Sequence, residues 1–338
     1  MASHQVTTSD GAVSFPQIDG DHSILQAALR AGVAFPYECS AGGCGSCRFT
    51  PVGGELEVLW GDAAGLSRRD RRKGMQLACQ TRAASDLEID VRLDESCRPT
   101  ILPRPRSLRL ETRRELSRDI TEFGFSSEGR ADFLPGQYAI LARADGMRRC
   151  YSMSNLANDD GIWEFQIKLV PGGAFTEWLF DVAPGTRIDL DGPFGMAHLR
   201  PGSPRDVLCV AGGSGLSPMI SIARGLAELE SGDERRLHFF YGGRTRADIC
   251  GYEDLVAAGL ADRLDFVPVV SEPDDPLNVG WEGLTGFVHQ AVIDRLGSSV
   301  AGMEVYFAGP PPMAEAMQRA LVLDLRVPFE QLHFDRFF

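Results

Sequence analysis

Cys39-Ser40-Ala41-Gly42-Gly43-Cys44-Gly45-Ser46-Cys47 is the stretch that decides how the first quarter of this chain folds. Its cysteines are spaced C-x₄-C-x₂-C, and a fourth, Cys79, follows after 31 intervening residues. That is the plant-type spacing for a [2Fe–2S] cluster. Each iron takes two thiolates, so one tight loop supplies three and a distant segment supplies the fourth. Ala41, Gly42, Gly43, Gly45 and Ser46 are all small. Small residues let a loop wrap the cluster and aim backbone N–H groups at its sulfurs, which offsets negative charge. A structural zinc site is the alternative, but zinc more often uses paired C-x₂-C knuckles. The spacing therefore points to Cys39, Cys44, Cys47 and Cys79 as ligands of a centre that carries one electron at a time.

The rest of the chain must be read around that centre. At 338 residues, two or three domains are expected. The apolar fraction of 43% and charged fraction of 24% are those of an ordinary globular protein. A net charge of −13 argues against nucleic-acid binding, which needs a basic footprint, and against tight binding to anionic membranes. No run of eighteen apolar residues exists, so no membrane insertion is expected. Met1 to Gly20 is polar and lacks a secretory pattern, so a cytoplasmic location is expected. The remaining cysteines, Cys97, Cys150, Cys209 and Cys250, are scattered singly, and Cys209 lies in the apolar run Val207 to Val210 as a small buried hydrophobe.

Two breaks divide the chain. Arg98-Pro99-Thr100-Ile101-Leu102-Pro103-Arg104-Pro105-Arg106 reads as a semi-rigid linker, and Pro201-Gly202-Ser203-Pro204 as a second boundary. Before the first break, Ser23 is a plausible cap for a helix carrying Ile24, Leu25, Ala28 and Leu29, and Leu87 to Leu93 alternates as a strand. Between the breaks, Ala139 to Ala142 and Trp163 to Val170 read as strands, with turns at Pro135-Gly136 and Pro171-Gly172-Gly173. After the second break, strands at Val207–Ala211, Leu237–Tyr241, Leu264–Val270 and Glu304–Ala308 join helices at Pro218–Glu230 and Pro312–Leu325. That order predicts a mainly parallel sheet covered by helices.

The middle and last parts resemble the ferredoxin–NADP⁺ reductase superfamily. Its R-x-Y-S signature matches Arg149-Cys150-Tyr151-Ser152, followed by Met153-Ser154-Asn155. The resemblance implies that Arg149 pairs with the FAD pyrophosphate, Tyr151 packs on the flavin ring and the Ser152 hydroxyl lies near the atom that receives hydride. Ser154 belongs to the same flavin stretch. A guanidinium forks onto phosphate oxygens and an aromatic face stacks on a flat ring, so those roles suit the residues. Pro171-Gly172-Gly173-Ala174-Phe175-Thr176 resembles a second phosphate loop, through Gly172, Gly173 and Thr176. Phe133 to Tyr138 and Gly192 to Gly195 match two further stretches of the superfamily.

Gly212-Gly213-Ser214-Gly215-Leu216-Ser217-Pro218 follows a strand and precedes a helix, a turn that can cradle a pyrophosphate. It resembles the superfamily's pyridine-nucleotide loop, with Gly212, Gly213, Gly215 and Pro218 at the matching places. Tyr241-Gly242-Gly243-Arg244 ends the next strand, which implies Tyr241 and Arg244 near the nucleotide ribose. Arg244 and Arg246 could hold a 2′-phosphate, Asp248 cuts the other way, and the resemblance favours NADH over NADPH. Ala308-Gly309-Pro310-Pro311-Pro312-Met313 resembles the nicotinamide-side loop, with Gly309 and Pro310 as contacts. Many members carry Cys where this chain has Ala308, which puts thiol assistance in doubt. At the end of the chain, Asp335 and Phe337 match a catalytic acid and a flavin-covering aromatic by spacing. A plain hydrophobic anchor is the alternative for that tail.

The resemblance as a whole is to the reductase component of bacterial multicomponent oxygenases, and Phe35 to Cys39 together with His333 to Phe338 look like toluene monooxygenase reductases. It implies a β-grasp [2Fe–2S] ferredoxin domain over residues 1–97, the linker at 98–106, an antiparallel β-barrel FAD domain over 107–201, and an α/β NAD(P)H domain with its flavin-covering tail over 202–338. The implied reaction is hydride transfer from NADH to FAD, then single electrons through the cluster to a Rieske ferredoxin or di-iron hydroxylase. Ser152, Asp335 and Phe337 are the implied catalytic residues. A reductase for a Rieske dioxygenase or a membrane-bound hydroxylase is the second reading, and a non-catalytic iron–sulfur carrier or redox sensor the rival class. A monomer is expected. Arg68-Arg69-Asp70-Arg71-Arg72-Lys73 is either a solvated helix end or a docking patch for an acidic partner.

Overall fold

The computed structural model describes residues 3–229 and 234–335. It divides into two compact units, one running to Pro105 and including Asp191–Met196, the other holding Arg106–Leu190 and Ala197–Asp335.

In the first unit, β1 (Ser3–Thr8) and β2 (Ser14–Ile18) form a hairpin, followed by α1 (Ile24–Arg30). Ser23 caps α1 by accepting from the Gln26 N–H, and Ile24, Leu25, Ala28 and Leu29 are buried, as their spacing requires. Then come β3 (Arg48–Gly53), β4 (Leu56–Val58), α2 (Arg68–Arg72), β5 (Gln76–Leu77), β6 (Thr81–Ala83) and β7 (Leu87–Asp90). The main sheet has the order β2-β1-β7-β3-β5, and β4 pairs separately with β6. β1 and β7 are parallel, with Val6 opposite Leu87. Val6, Phe15, Leu87 and Ile89 alternate onto the buried face. This mixed sheet with a helix laid against it is the β-grasp arrangement expected for this part. β7 is shorter than the alternation predicts and stops at Asp90.

An antiparallel sheet comes next in the chain. Its strands are β8 (Arg104–Glu115), β9 (Ile120–Ser126), β10 (Tyr138–Ala142), β11 (Arg148–Ser152), β12 (Ile162–Lys168) and β13 (Arg187–Phe194), ordered β11-β10-β13-β8-β9-β12. β8 begins inside the proline-bearing stretch read as a linker. A helix, α3 (Ala174–Asp181), sends Phe175 and Leu179 into the core of this sheet, beside Phe123, Phe125, Trp163 and Phe165. Side chains alternate along a strand. Phe123 and Phe125 therefore face that core from β9, while Ile120 and Glu122 face the other way. On β12, Trp163, Phe165 and Ile167 face in, and Glu164, Gln166 and Lys168 face out.

The remaining elements are β14 (Val207–Gly212), α4 (Leu216–Ala227), β15 (Leu237–Gly243), α5 (Tyr252–Ala257), β16 (Leu264–Val270), β17 (Leu284–Thr285), α6 (Val288–Leu296), β18 (Glu304–Ala308), α7 (Pro311–Arg319) and β19 (Leu332–Phe334). All pair in parallel, in the order β17-β16-β15-β14-β18-β19. One apolar layer packs α4 and α5 on one face, and another packs α6 and α7 on the other. α4 starts two residues earlier than expected, because Pro218 falls in the first turn, where a missing N–H removes no helical bond. α7 does not continue to Leu325 as an α-helix. Its end widens into a π-turn over Ala320–Asp324, with the Leu325 N–H donating to the Ala320 carbonyl.

Candidate functional site

The cysteine loop is shaped by backbone that only glycine holds easily. Gly42 and Gly45 have φ of +84° and +79°. A Cβ on Gly45 would lie 2.4 Å from the Gly65 carbonyl oxygen, and one on Gly65 would lie 2.6 Å from the Gly45 nitrogen. The Gly65 N–H donates to the Gly42 carbonyl at 2.8 Å. A second loop thus backs the cysteine loop at van der Waals distance. Gly65 was not singled out in the sequence, where it sits in an ordinary small-residue run.

The four cysteines come together in two pairs. Cys39 and Cys44 are linked by a side-chain hydrogen bond, and Cys47 Sγ lies 3.4 Å from Cys79 Sγ. Two sulfurs on one tetrahedral ion with bonds of about 2.3 Å stand about 3.8 Å apart, so the Cys47–Cys79 pair suits one iron. Among the described residues no three His, Cys, Asp or Glu side chains surround one point that could hold a single ion. Backbone N–H groups of Ala41 and Cys44 donate to Cys39 Sγ, and that of Ser46 to Cys44 Sγ, each at 3.4 Å. The hydrogen bond from Cys39 holds Cys44 well below the usual thiol value. Cys39 and Cys79 are pushed up, first by their thiol partners and then by burial. Buried neighbouring thiols cannot all ionise without a compensating cation, which iron supplies.

In the flavin region, Arg149 is exposed on β11 and its guanidinium donates to the Arg148 carbonyl. Tyr151 is half-buried, its ring 5.6 Å from that of Phe175 in α3, and burial pushes its hydroxyl pKa up. Ser152 is buried at the strand end, where its carbonyl accepts from Ser217 Oγ at 2.7 Å. Gly172 has φ +75° and its N–H donates to Glu177. Gly173 caps α3 at a spot where a Cβ would strike the Val170 carbonyl, and Thr176 Oγ1 closes the loop onto Val170. Asp335 is buried, and its charge reaches the Cys150 thiol, whose pKa is raised first by burial and then, among the raising effects, by this carboxylate. Phe337 lies outside the described residues.

Ser154 is fully buried, and its hydroxyl lies 3.5 Å from Glu122. It belongs to a polar layer that the sequence did not reveal. Arg114 bridges Glu122 at 2.9 Å and Asp254 at 2.7 Å, and Gln166 Nε2 donates to Glu122 at 3.0 Å. Arg224 contacts Glu164 at 3.3 Å and donates to the Ser154 carbonyl at 2.9 Å. Burial, and then Glu122, raise the Glu164 pKa. Ser217, Ser221 and Arg224 lie at helical spacing on one face of α4 and bond the carbonyls of Ser152, Asn155 and Ser154. The helix after the nucleotide loop therefore grips the backbone directly after the flavin motif.

β14 lies between β15 and β18, at the switch point where a parallel sheet of this kind binds ligands. Gly212 and Gly213 leave β14 there, and Gly309 and Pro310 leave β18 beside them. A Cβ on Gly215 would lie 2.0 Å from the Ala308 carbonyl oxygen, so the loop touches the neighbouring strand end. Gly212 and Gly309 instead face the flexible Met313 thioether. Pro218 is buried in the first turn of α4. Lys168, from the outer face of β12, stands 4.0 Å from where a Gly213 Cβ would be and pairs with Asp119 at 2.9 Å. This cation at the loop was missed because it lies on the preceding sheet.

Tyr241 is placed behind the loop. It is 1% exposed, and its hydroxyl donates to the Gly213 carbonyl at 3.4 Å. Arg244 is exposed, and its guanidinium has no hydrogen bond or ion pair among the described residues. Asp248 is buried. It accepts from the Arg244 and Thr245 N–H groups and pairs with Arg118 at 2.8 Å, so its carboxylate caps the turn.

Comparison with known proteins gives three matching domain families. The 2Fe-2S iron-sulfur cluster binding domain matches residues 7–84, the oxidoreductase FAD-binding domain 107–199 and the oxidoreductase NAD-binding domain 209–319. The ferredoxin–NAD(P)(+) reductase CarAd of Metapseudomonas resinovorans is 43% identical over 94% of this chain and 94% of its own. The ferredoxin–NAD(+) reductase component of an alkene monooxygenase system of Xanthobacter autotrophicus is 38% identical over 94% of this chain and 96% of its own. Among solved structures, a ferredoxin reductase in carbazole 1,9a-dioxygenase superposes with a TM-score of 0.90 at 37% identity, covering 100% of this chain and 99% of that one.

Proposed function

We propose, from the premise that this chain belongs to the ferredoxin–NAD(P)⁺ reductase family with an added [2Fe–2S] domain, that it is the NADH-oxidising electron-transfer component of a bacterial aromatic or alkene monooxygenase system. It is an oxidoreductase whose cofactors are a [2Fe–2S] cluster, FAD and a nicotinamide nucleotide. When bound, FAD accepts the hydride as a pair of electrons and the cluster hands them on singly.

The chain's own residues do the positioning. Cys39 and Cys44 hold one iron and Cys47 and Cys79 the other, with the Ala41, Cys44 and Ser46 N–H groups offsetting sulfur charge. Arg149 and the Gly172–Thr176 turn hold the flavin pyrophosphate, Tyr151 supports the ring, and Ser152 and Asp335 serve the hydride-accepting side. Ser154 acts from the polar layer, fixing the backbone after Ser152. Gly212, Gly213 and Gly215 admit the nucleotide pyrophosphate beside Lys168, with Gly309 and Pro310 opposite and Arg244 at the ribose end. Tyr241 and Pro218 keep the loop in shape from behind. The domain boundaries proposed are those of the sequence reading, with residues 98–106 as the connection. The protein acts as a cytoplasmic monomer; no helix among the described residues is long and apolar enough to cross a membrane.

The observation that carries this reading is the pairing of the four cysteines in one unit, while the other holds a glycine-lined switch point against a flavin-type sheet. The electron acceptor is a Rieske ferredoxin or a di-iron hydroxylase. The alkene monooxygenase relative supports the monooxygenase reading. The carbazole dioxygenase structure favours a second, in which the same chain serves a Rieske dioxygenase. The test is reconstitution. Purified protein should hold one FAD and two irons, and with NADH and the matching oxygenase components it should drive product formation. Protein that binds neither flavin nor iron, or oxidises no NADH, would end the proposal.

A further inference from the structure

The loop that backs the cysteine loop also carries an exposed indole and a free cluster of cations. Trp60 is 46% exposed, yet two of its ring atoms come within 3.0 and 3.1 Å of where a Gly42 Cβ would be. It therefore lies directly on the cluster-binding loop. From there the chain runs through Gly65, which touches Gly42 and Gly45, to α2. Arg71 of α2 turns back and donates to the carbonyls of Gly61 and Ala63, fixing the helix to the Trp60 loop. Asp70 is engaged with the Ser67 cap and Arg48. The side chains of Arg68, Arg69, Arg72 and Lys73 are exposed, with no hydrogen bond or ion pair among the described residues. Residues 60–75 hold five cationic and two acidic side chains, a net +3 in a chain of net −13. Of those acids, Asp62 is fully solvated and stands 3.8 Å from Arg71, and Asp70 pairs with Arg48. The neighbouring Glu57 faces Arg82 at 3.7 Å.

A run of solvated arginines alone is an ordinary surface. This one adjoins a half-exposed tryptophan, and both lie on the loops that wrap the candidate electron exit. Tryptophan and arginine are the residues that most often dominate protein–protein contacts. A local positive field on an acidic molecule also steers a partner of opposite charge to one face. We infer that Trp60 and the cationic side of α2 form the docking face for an acidic, soluble one-electron acceptor protein. The inference rests on the reductase reading above and adds to it the place and charge of the partner. Arg71 is excluded from the face because it is engaged in holding the loop.

The test uses the full chain loaded with FAD and cluster. Its probe is a purified Rieske ferredoxin of net negative charge, with ferricyanide as a small acceptor that needs no docking. Arg68→Glu with Arg72→Glu should lower kcat/KM for the Rieske ferredoxin at low salt by about tenfold or more and flatten its dependence on ionic strength. NADH–ferricyanide turnover should stay at the wild-type rate. Trp60→Ala should lower kcat/KM for the same probe by about tenfold without altering the salt slope, in protein whose iron content matches wild type. The lysine variants Arg68→Lys with Arg72→Lys should retain most of the rate. Unchanged kcat/KM and salt slope in the charge-reversed protein would overturn the docking face alone. Failure of the wild-type protein to reduce ferricyanide would remove the reductase reading, and this inference with it.

Discussion

Replacing Gly65 with alanine should cost the protein its cluster, although Gly65 belongs to no cysteine motif. The new methyl would lie 2.6 Å from the Gly45 nitrogen and 2.9 Å from both the Gly42 oxygen and Gly45 Cα. All three are backbone atoms, so no side chain can swing away, and the two loops must part by nearly 1 Å. Such overpacking costs about 1–3 kcal/mol. The Gly65–Gly42 hydrogen bond would be stretched at a further cost of about 1 kcal/mol. The total of about 2–4 kcal/mol falls on the loop that aims Cys44. Gly61→Ala is the control, since a Cβ there meets nothing within 4 Å. Iron and sulfide content, visible absorbance and thermal unfolding read the effect, with bound FAD reporting that the rest of the chain is intact. Expected are cluster loss and a lowered transition in Gly65→Ala and neither in Gly61→Ala. A Gly65→Ala protein with full iron content and wild-type stability would refute the claim that this second loop shapes the site.

Lys168→Gln should raise KM for NADH about tenfold, the worth of one charge-assisted hydrogen bond, with kcat and bound FAD little changed. Steady-state kinetics at fixed acceptor check it. Tyr241→Phe should leave KM for NADH within about twofold and cost about 1 kcal/mol of stability, because the hydroxyl supports the Gly213 carbonyl from behind. A large rise in KM would place Tyr241 on the nucleotide instead. His198 is held at about 4, first by burial and then by Arg200. The unfolded chain binds a proton near 6.5 that the folded chain refuses, so this contribution is whole above pH 6.5 and lost as pH falls toward 4. The loss amounts to at most about 3 kcal/mol. Denaturant unfolding should therefore weaken over that range in the wild type, and more shallowly in His198→Asn.

What could be read in advance was local. The cysteine spacing, the Ser23 cap, the glycine turn after Val207–Ala211 and the strand at Leu264–Val270 are each written in contiguous residues. Lys168, Trp60 and Gly65 act across sequence separations that no single-sequence pattern reveals. The polar layer of Glu122, Gln166, Arg224 and Asp254 was hidden for the same reason: alternation along β9 and β12 marks two faces but does not say what covers the outer one. Tyr241 and Asp248 show the limit of motif position. Both sit at the expected strand end, but burial turns one side chain under the loop and uses the other to cap the turn.

In the proposed relay two prosthetic groups act in series, and Cys79→Ser isolates the second. Mixed anaerobically with NADH, the wild-type protein should bleach at the flavin band and then at the cluster band, and it should reduce both ferricyanide and a Rieske ferredoxin. The Cys79→Ser protein should keep flavin bleaching and ferricyanide reduction but lose ferredoxin reduction. Ferredoxin reduction by cluster-free Cys79→Ser at the wild-type rate would contradict the relay.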